Sequence, residues 1–122
     1  MEPMTYEEIT KQLKDVFGAD WNDDFTFDER VAAVAYATLN QTTDKEKVYD
    51  FAKYRTPDFY FDCLSIEEVA EQYLEDAEAF DYIDRKYVDI EAFAADFGSE
   101  RRYIEIEYDD KDAHFNGFVV WK

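Results

Sequence analysis

The sequence has few of the residues that build catalytic, metal or phosphate-binding sites. Among 122 residues it has one cysteine (Cys63), one histidine (His114), three glycines and two prolines. One cysteine cannot form an intrachain disulfide, which favours a reducing compartment, and a zinc site needs several cysteine or histidine ligands. Three glycines far apart in sequence cannot form a glycine-rich phosphate loop. We therefore predict a protein that is not an enzyme and has no cofactor and no metal site.

Basic residues are also scarce. Thirteen Lys and Arg face 31 Asp and Glu, for a formal net charge of -18. Repulsion should prevent direct binding to nucleic acid or to an anionic membrane. The longest apolar run, residues 31–37, is too short to cross a membrane. The first four residues lack the basic and apolar stretches of a signal peptide, so we expect a cytoplasmic protein.

Apolar residues (47%) and aromatic residues (19%) are frequent enough for a folded core. In the N-terminal half, a Thr is followed three residues later by a Glu at three places, a capping-box pattern that predicts three helices. These patterns are Thr5 with Glu8, Thr26 with Glu29, and Thr43 with Glu46. The acidic segment 19–25 between the first two helices is predicted to be a loop.

The second half has mixed signals. Alternation from Asp58 to Cys63 predicts a strand with Phe59, Phe61 and Cys63 on one face. Two helices should follow, one after Ser65 and one after Asp89, and then a hairpin with Gly117 as a bulge. The predicted fold class is α+β: a helical subdomain (1–56), then a β-α-α-β-β subdomain (57–122) with a small antiparallel sheet.

The negative charge is concentrated in one stretch. Residues 58–84 contain ten acids and no Lys or Arg. Four glutamates recur at helical spacing, which places them on one face of the predicted helix, about 6 Å apart per turn. The acids of this stretch are Asp58, Asp62, Glu67, Glu68, Glu71, Glu75, Asp76, Glu78, Asp81 and Asp84, and the four on one face are Glu67, Glu71, Glu75 and Glu78.

Several interpretations of this stretch remain open. A charge run is usually a solvated surface, and salt adaptation also produces acidic surfaces poor in lysine. An interaction surface for a basic partner is favoured by the length of the base-free stretch, by its regular helix, and by acidic loops expected beside it at 20–24 and 109–112. Tyr60, Tyr82 and Tyr87 lie among the acids; we expect each in the core, although exposed tyrosines would add contact area.

The segment Tyr87-Val88-Asp89-Ile90-Glu91-Ala92-Phe93-Ala94-Ala95-Asp96-Phe97 resembles the antirestriction signature of the ArdA family. The preceding residues 62–63 and 69–76 look like the helix before that signature. The chain resembles the middle and C-terminal domains of the family and has no counterpart to its N-terminal α/β domain. That difference leaves the target open, including a CRISPR effector.

The resemblance implies an acidic mimic of DNA that occupies the DNA groove of type I restriction-modification enzymes, encoded by a phage or mobile element. It also implies a homodimer through the C-terminal domain, with Tyr87, Asp89, Ala92, Phe93 and Asp96 in or behind the contact. The acidic residues 58–84 would face the basic DNA-binding partner in the host cytoplasm. The alternatives are an immunity protein that neutralises a nuclease toxin, and a metabolic or cation-binding protein whose acidity is incidental.

Overall fold

A computed structural model describes residues 2–122. The fold class is α+β, as predicted: helices fill the N-terminal half, and a β-α-α-β-β unit follows. The helices are α1 (Tyr6–Phe17), α2 (Asp20–Asp23), α3 (Phe27–Asn40), α4 (Lys45–Tyr54), α5 (Ile66–Asp76) and α6 (Ile90–Ser99). The strands are β1 (Asp58–Phe61), β2 (Arg102–Asp109) and β3 (His114–Trp121), and two 3-10 turns, Ala79–Asp81 and Arg85–Tyr87, join α5 to α6.

Two of the three predicted N-terminal caps are confirmed. The Thr5 hydroxyl accepts from the Glu8 backbone N–H, and Thr26 with Glu29 forms a complete capping box. The third prediction is wrong, because α4 is capped by Asp44, whose carboxylate accepts from the Lys47 N–H at 3.0 Å. A carboxylate is also favoured at this position by the positive end of the helix dipole.

The predicted loop at 19–25 contains a helical turn instead. Helix α2 turns the Trp21 ring into the core, where it is 1% exposed and packs against Phe17 and Phe25. The neighbouring acids Asp20 and Asp23 remain outside. Burial of one large ring stabilises a short helix that sequence propensity alone does not predict.

The sheet is antiparallel in the order β1-β3-β2, and it separates two groups of helices. Along β3, Phe115, Val119 and Trp121 belong to a core cluster shared with the N-terminal helices. The alternate residues Phe118 and Val120 belong to a second cluster with α5 and α6. The central strand is therefore covered on both faces, and α5 and α6 lie on the face opposite the N-terminal helices.

The first cluster joins both halves of the chain. Val31 and Val34 of α3 lie in the same cluster as Ile106 of β2 and Val119 of β3. The N-terminal helices therefore share a core with the sheet, and the division into subdomains at residue 56 stays a prediction.

Gly117 allows a close approach of strands and does not form the predicted bulge. The pairing of β3 with both neighbours runs through Gly117 without an extra residue. Its φ is +154°, and an added Cβ would lie 2.0 Å from the Tyr60 carbonyl oxygen. Only glycine fits this position.

Among residues 2–122, none of the helices combines the length and apolar character needed to cross a membrane.

Candidate protein interaction surface

Helix α5 carries the predicted acidic row. The Ser65 hydroxyl accepts from the Glu68 N–H, and the Glu68 carboxylate accepts from the Leu64 N–H at 2.7 Å. Val69 and Ala70 are completely buried against the second core cluster. The carboxylates on the remaining circumference therefore face away from the sheet.

The predicted row is shorter than expected, because Glu78 lies outside the helix. Helix α5 ends at Asp76, and Glu78 has a left-handed φ of 60°. Acids at a helix C-terminus oppose the helix dipole, and here Glu75, Asp76 and Glu78 follow one another closely. The chain leaves the helix before the last of them.

Two carboxylates of the row are paired within the protein, which the sequence did not indicate. Arg85, from the 3-10 turn after the helix, donates to both Glu71 and Glu75. Its guanidinium also lies 4.6 Å from the centre of the Phe80 ring. Although residues 58–84 contain no Lys or Arg, a base just beyond that stretch therefore neutralises part of the charge at the middle of the row.

The other eight predicted acids are exposed. They are Asp58, Asp62, Glu67, Glu68, Asp76, Glu78, Asp81 and Asp84. Asp76 accepts from the Gln72 amide at 2.9 Å, and Asp84 accepts from the Lys86 N–H at 3.1 Å with the Lys86 ammonium 3.9 Å away. These contacts leave most of the negative charge directed at solvent.

The acidic layer is wider than the predicted stretch. We use this name for residues 58–100, which contain fourteen acids and two bases, Arg85 and Lys86. Their helices, α5 and α6, both lie on one face of the sheet. The next base, Arg101, does not project freely, because its guanidinium packs 4.0 Å from the centre of the Phe97 ring.

The acidic loops expected beside this surface do not flank it. Helix α2, with Asp20 and Asp23, lies with the N-terminal helices on the opposite face of the sheet. In the hairpin turn, buried Arg30 bonds Asp110 at 2.9 Å and Asp112 at 2.7 Å; Asp110 is largely buried, whereas Asp112 is half exposed. Helix α2 is therefore removed from the candidate surface, and Arg30 ties the hairpin turn to the N-terminal helices.

The three tyrosines have different environments. Tyr60 is 8% exposed, and burial raises its pKa to about 12. Tyr82 is 85% exposed and Tyr87 is 76% exposed, with Ile83 at 53% between them. The expectation of core packing is confirmed for the first tyrosine and wrong for the other two.

The fold of this chain alone gives a structural role to two residues of the ArdA-like signature, Asp89 and Phe93. Asp89 caps α6 by accepting from the Ala92 N–H at 3.0 Å. The Phe93 ring stacks on Tyr73 with centroids 6.2 Å apart. Tyr87, Ala92 and Asp96 are exposed, and a role of these residues in a dimer stays a prediction.

The single cysteine and the single histidine of the chain have different environments. Cys63 is partly buried, and burial raises the pKa of its thiol. His114 lies on the surface with Nδ1 3.6 Å from a carboxylate oxygen of Asp109. Within residues 2–122 there is no group of three or more His, Cys, Asp or Glu side chains placed to hold a metal ion.

Comparison with known proteins adds no assignment: no family model matches the chain, and the curated proteins and solved structures searched contain no match.

Proposed function

We propose that this protein is an acidic inhibitor that occupies the nucleic-acid groove of a host defence enzyme. The observation that carries the proposal is the acidic layer, which contains fourteen acids and two bases and whose helices α5 and α6 pack on one face of the sheet. The proposed site of action is the host cytoplasm. The protein itself performs no chemistry.

The physical basis is substitution of carboxylates for phosphates. A groove that binds nucleic acid presents Lys and Arg side chains, whose attraction to negative charge depends little on its source. A folded scaffold holds carboxylates in place before binding, so little conformational entropy is lost when the groove closes on them. The same charge repels nucleic acid, so the inhibitor would not bind the substrate itself.

The pairing of Arg85 changes which carboxylates we assign to this surface. Because Glu71 and Glu75 are held by Arg85, the unpaired acids at both ends of α5 supply most of the attraction. We assign the strongest contacts to Glu67, Asp76, Glu78 and Asp81, all of which are exposed.

The resemblance to ArdA proteins supports a type I restriction-modification enzyme as the first target to test. The signature at 87–97 resembles the segment through which that family dimerises, so a homodimer belongs to the proposal. A CRISPR effector is a further target of the same kind, because it also holds nucleic acid in a positively charged channel.

A competition assay tests the proposal. A purified type I restriction-modification enzyme would be saturated with a fluorescent duplex that carries its recognition site, and the protein would be titrated in. We expect the protein to displace the duplex. We also expect its apparent affinity for the enzyme to decrease as the salt concentration rises from about 50 to about 200 mM. Retention of the duplex at every protein concentration would reject this enzyme as the target, and retention by a CRISPR effector as well would reject the proposal.

An immunity protein for a nuclease toxin is the alternative. It is favoured by the exposed Tyr82 and Tyr87 beside the acids, because tight protein–protein contacts concentrate affinity in aromatic residues. A stoichiometric complex with a small nuclease, unaffected by competing DNA, would support this alternative. Competition with nucleic acid would support the mimic.

A further inference from the structure

The segment between α5 and α6 combines exposed rings with exposed carboxylates. Asp81, Tyr82, Asp84, Tyr87 and Asp89 follow one another at intervals of one to three residues, and all five are exposed. The two tyrosines are among the most exposed large side chains of the described chain. We call residues 81–89 the ring segment.

The ring segment is held in place, which makes its exposure a feature of the fold. Two 3-10 turns, Ala79–Asp81 and Arg85–Tyr87, shape its backbone. Arg85 turns back to Glu71 and Glu75 on α5, and Asp89 begins α6 as its cap. The tyrosines are therefore presented from a backbone that contacts α5 at its middle and continues into α6 at its end.

A duplex and a single strand differ in what they present to a protein. The bases of a duplex are stacked inside, so a mimic of its backbone needs negative charge and has no use for exposed rings. A single strand presents its bases to solvent, and its binding proteins place aromatic side chains against them in a basic groove. Aromatic rings that alternate with carboxylates therefore resemble a single strand, in which exposed bases alternate with phosphates.

We propose that the ring segment docks in the single-stranded nucleic-acid groove of a basic protein. Tyr82 and Tyr87 would take the places of bases on the aromatic platforms, and Asp81, Asp84 and Asp89 would take the places of phosphates. This assignment places Tyr87 and Asp89 in the groove and leaves a dimer contact to the rest of the signature. The inference rests on the proposed function and names its partner class: a protein that binds single strands. Lys86 does not oppose it strongly, because its ammonium lies 3.9 Å from Asp84 and 5.1 Å from the Tyr87 ring centre.

The test compares two displacement assays with the full chain. One uses a fluorescent oligo-dT bound to an OB-fold single-stranded-DNA-binding protein. The other uses a fluorescent duplex bound to a type I restriction-modification enzyme. We expect displacement of oligo-dT, and a loss of roughly tenfold or more in apparent affinity when both Tyr82→Ala and Tyr87→Ala are introduced.

Two controls separate stacking from folding and from general surface effects. Tyr54→Ala removes a tyrosine that is 72% exposed on α4, on the other side of the sheet, and should leave displacement within about twofold. Tyr82→Phe with Tyr87→Phe keeps both rings and should retain the affinity, since stacking does not need the hydroxyl groups.

The outcomes are distinct. Displacement of the duplex without displacement of oligo-dT would overturn the ring-segment inference and leave the proposed function standing. Displacement of oligo-dT that is unchanged by the double alanine variant would also overturn the inference. Displacement of neither probe would overturn the ring-segment inference and reject the type I restriction-modification enzyme as the target, and retention of nucleic acid by a CRISPR effector as well would reject the proposed function.

Discussion

Arg30 of α3 donates from Nε to a carboxylate oxygen of Asp110 in the β2–β3 turn, at 2.9 Å. The arginine is 2% exposed, and its side chain also bonds Asp112 at 2.7 Å and the Phe25 carbonyl at 2.7 Å. The Tyr108 hydroxyl donates to the same carboxylate of Asp110 at 2.8 Å. This network fastens the hairpin turn to the N-terminal helices.

The first prediction concerns removal of this arginine. Arg30→Ala would leave Asp110 as a largely buried carboxylate without its counter-ion, which typically costs about 3–5 kcal/mol. We expect the free energy of unfolding to fall by an amount in this range, measured by urea denaturation. Arg85→Ala is the matched control, because its ion pairs are about half exposed and screened by solvent, so the loss of stability should be much smaller than for Arg30→Ala. Equal decreases in the free energy of unfolding for the two variants would show that the buried network stabilises the fold no more than the exposed ion pairs do.

The second prediction concerns stability at low pH. Burial by itself raises the pKa of Asp110, but bonds from the Asp112 N–H, Tyr108 and Arg30 outweigh burial and lower that pKa. Because the pKa of Asp110 is lower in the folded protein than in the unfolded chain, where it is about 3.9, the ionised carboxylate stabilises the fold at pH values above about 3.9. This stabilisation is lost as the pH falls through the folded-state pKa. We expect the stability advantage of the wild type over Asp110→Asn to shrink below about pH 4. A constant difference across urea titrations at each pH would contradict this.

The third prediction concerns high pH. Burial first, and then the hydrogen bond to Asp110, raise the pKa of Tyr108 to about 12, and burial raises the pKa of Tyr60 to about 12. Because these folded values exceed the unfolded value of about 10, their contribution to stability is lost as the pH rises from about 10 to 12. An absorbance titration of tyrosinate should show these two ionising after the exposed tyrosines. Tyr108→Phe should remove one late group, and an unchanged late phase would contradict the assignment.

The sequence predicted the parts of this fold that depend on neighbours along the chain. The caps at Thr5 and Thr26, the strand beginning at Asp58 and the terminal hairpin all follow from local patterns. The order β1-β3-β2 could not be predicted, because the return of β3 between two earlier strands is decided by packing. The burial of β3 on both faces follows from that order.

The candidate surface was predicted less completely than the fold. Arg85 and Glu71 are fourteen residues apart, beyond any helical spacing rule, so their contact depends on how the turn after α5 folds back. For Arg30 the sequence did contain an indication of a buried ion pair. The residue lies four positions before Val34, on the apolar side of α3, where a buried charge needs a partner. That partner lies 80 residues away, and the sequence alone does not identify it.

The fourth prediction concerns Arg85 as a restraint on the acidic layer. Arg85→Gln would free Glu71 and Glu75 and add one net negative charge. We expect faster association with a basic target, a steeper dependence on salt, and faster hydrogen exchange of residues 77–89. Association and exchange that match the wild type would show that the ion pairs neither hold the segment nor reduce the surface charge.

Two variants that have the same net charge test whether the acidic layer is the binding surface. One neutralises four exposed acids of the acidic layer: Glu67→Gln, Asp76→Asn, Glu78→Gln and Asp81→Asn. The other neutralises four exposed acids on the opposite side of the sheet: Asp15→Asn, Asp20→Asn, Asp23→Asn and Asp50→Asn.

The measurement is the concentration of each variant that displaces nucleic acid from a defence enzyme inhibited by the wild type. We expect displacement by the first variant to need at least about tenfold more protein than the wild type, and displacement by the second to need about the same amount as the wild type. Equal losses in both variants would show that only total charge matters, and that result would contradict a surface located on α5 and the segment that follows it.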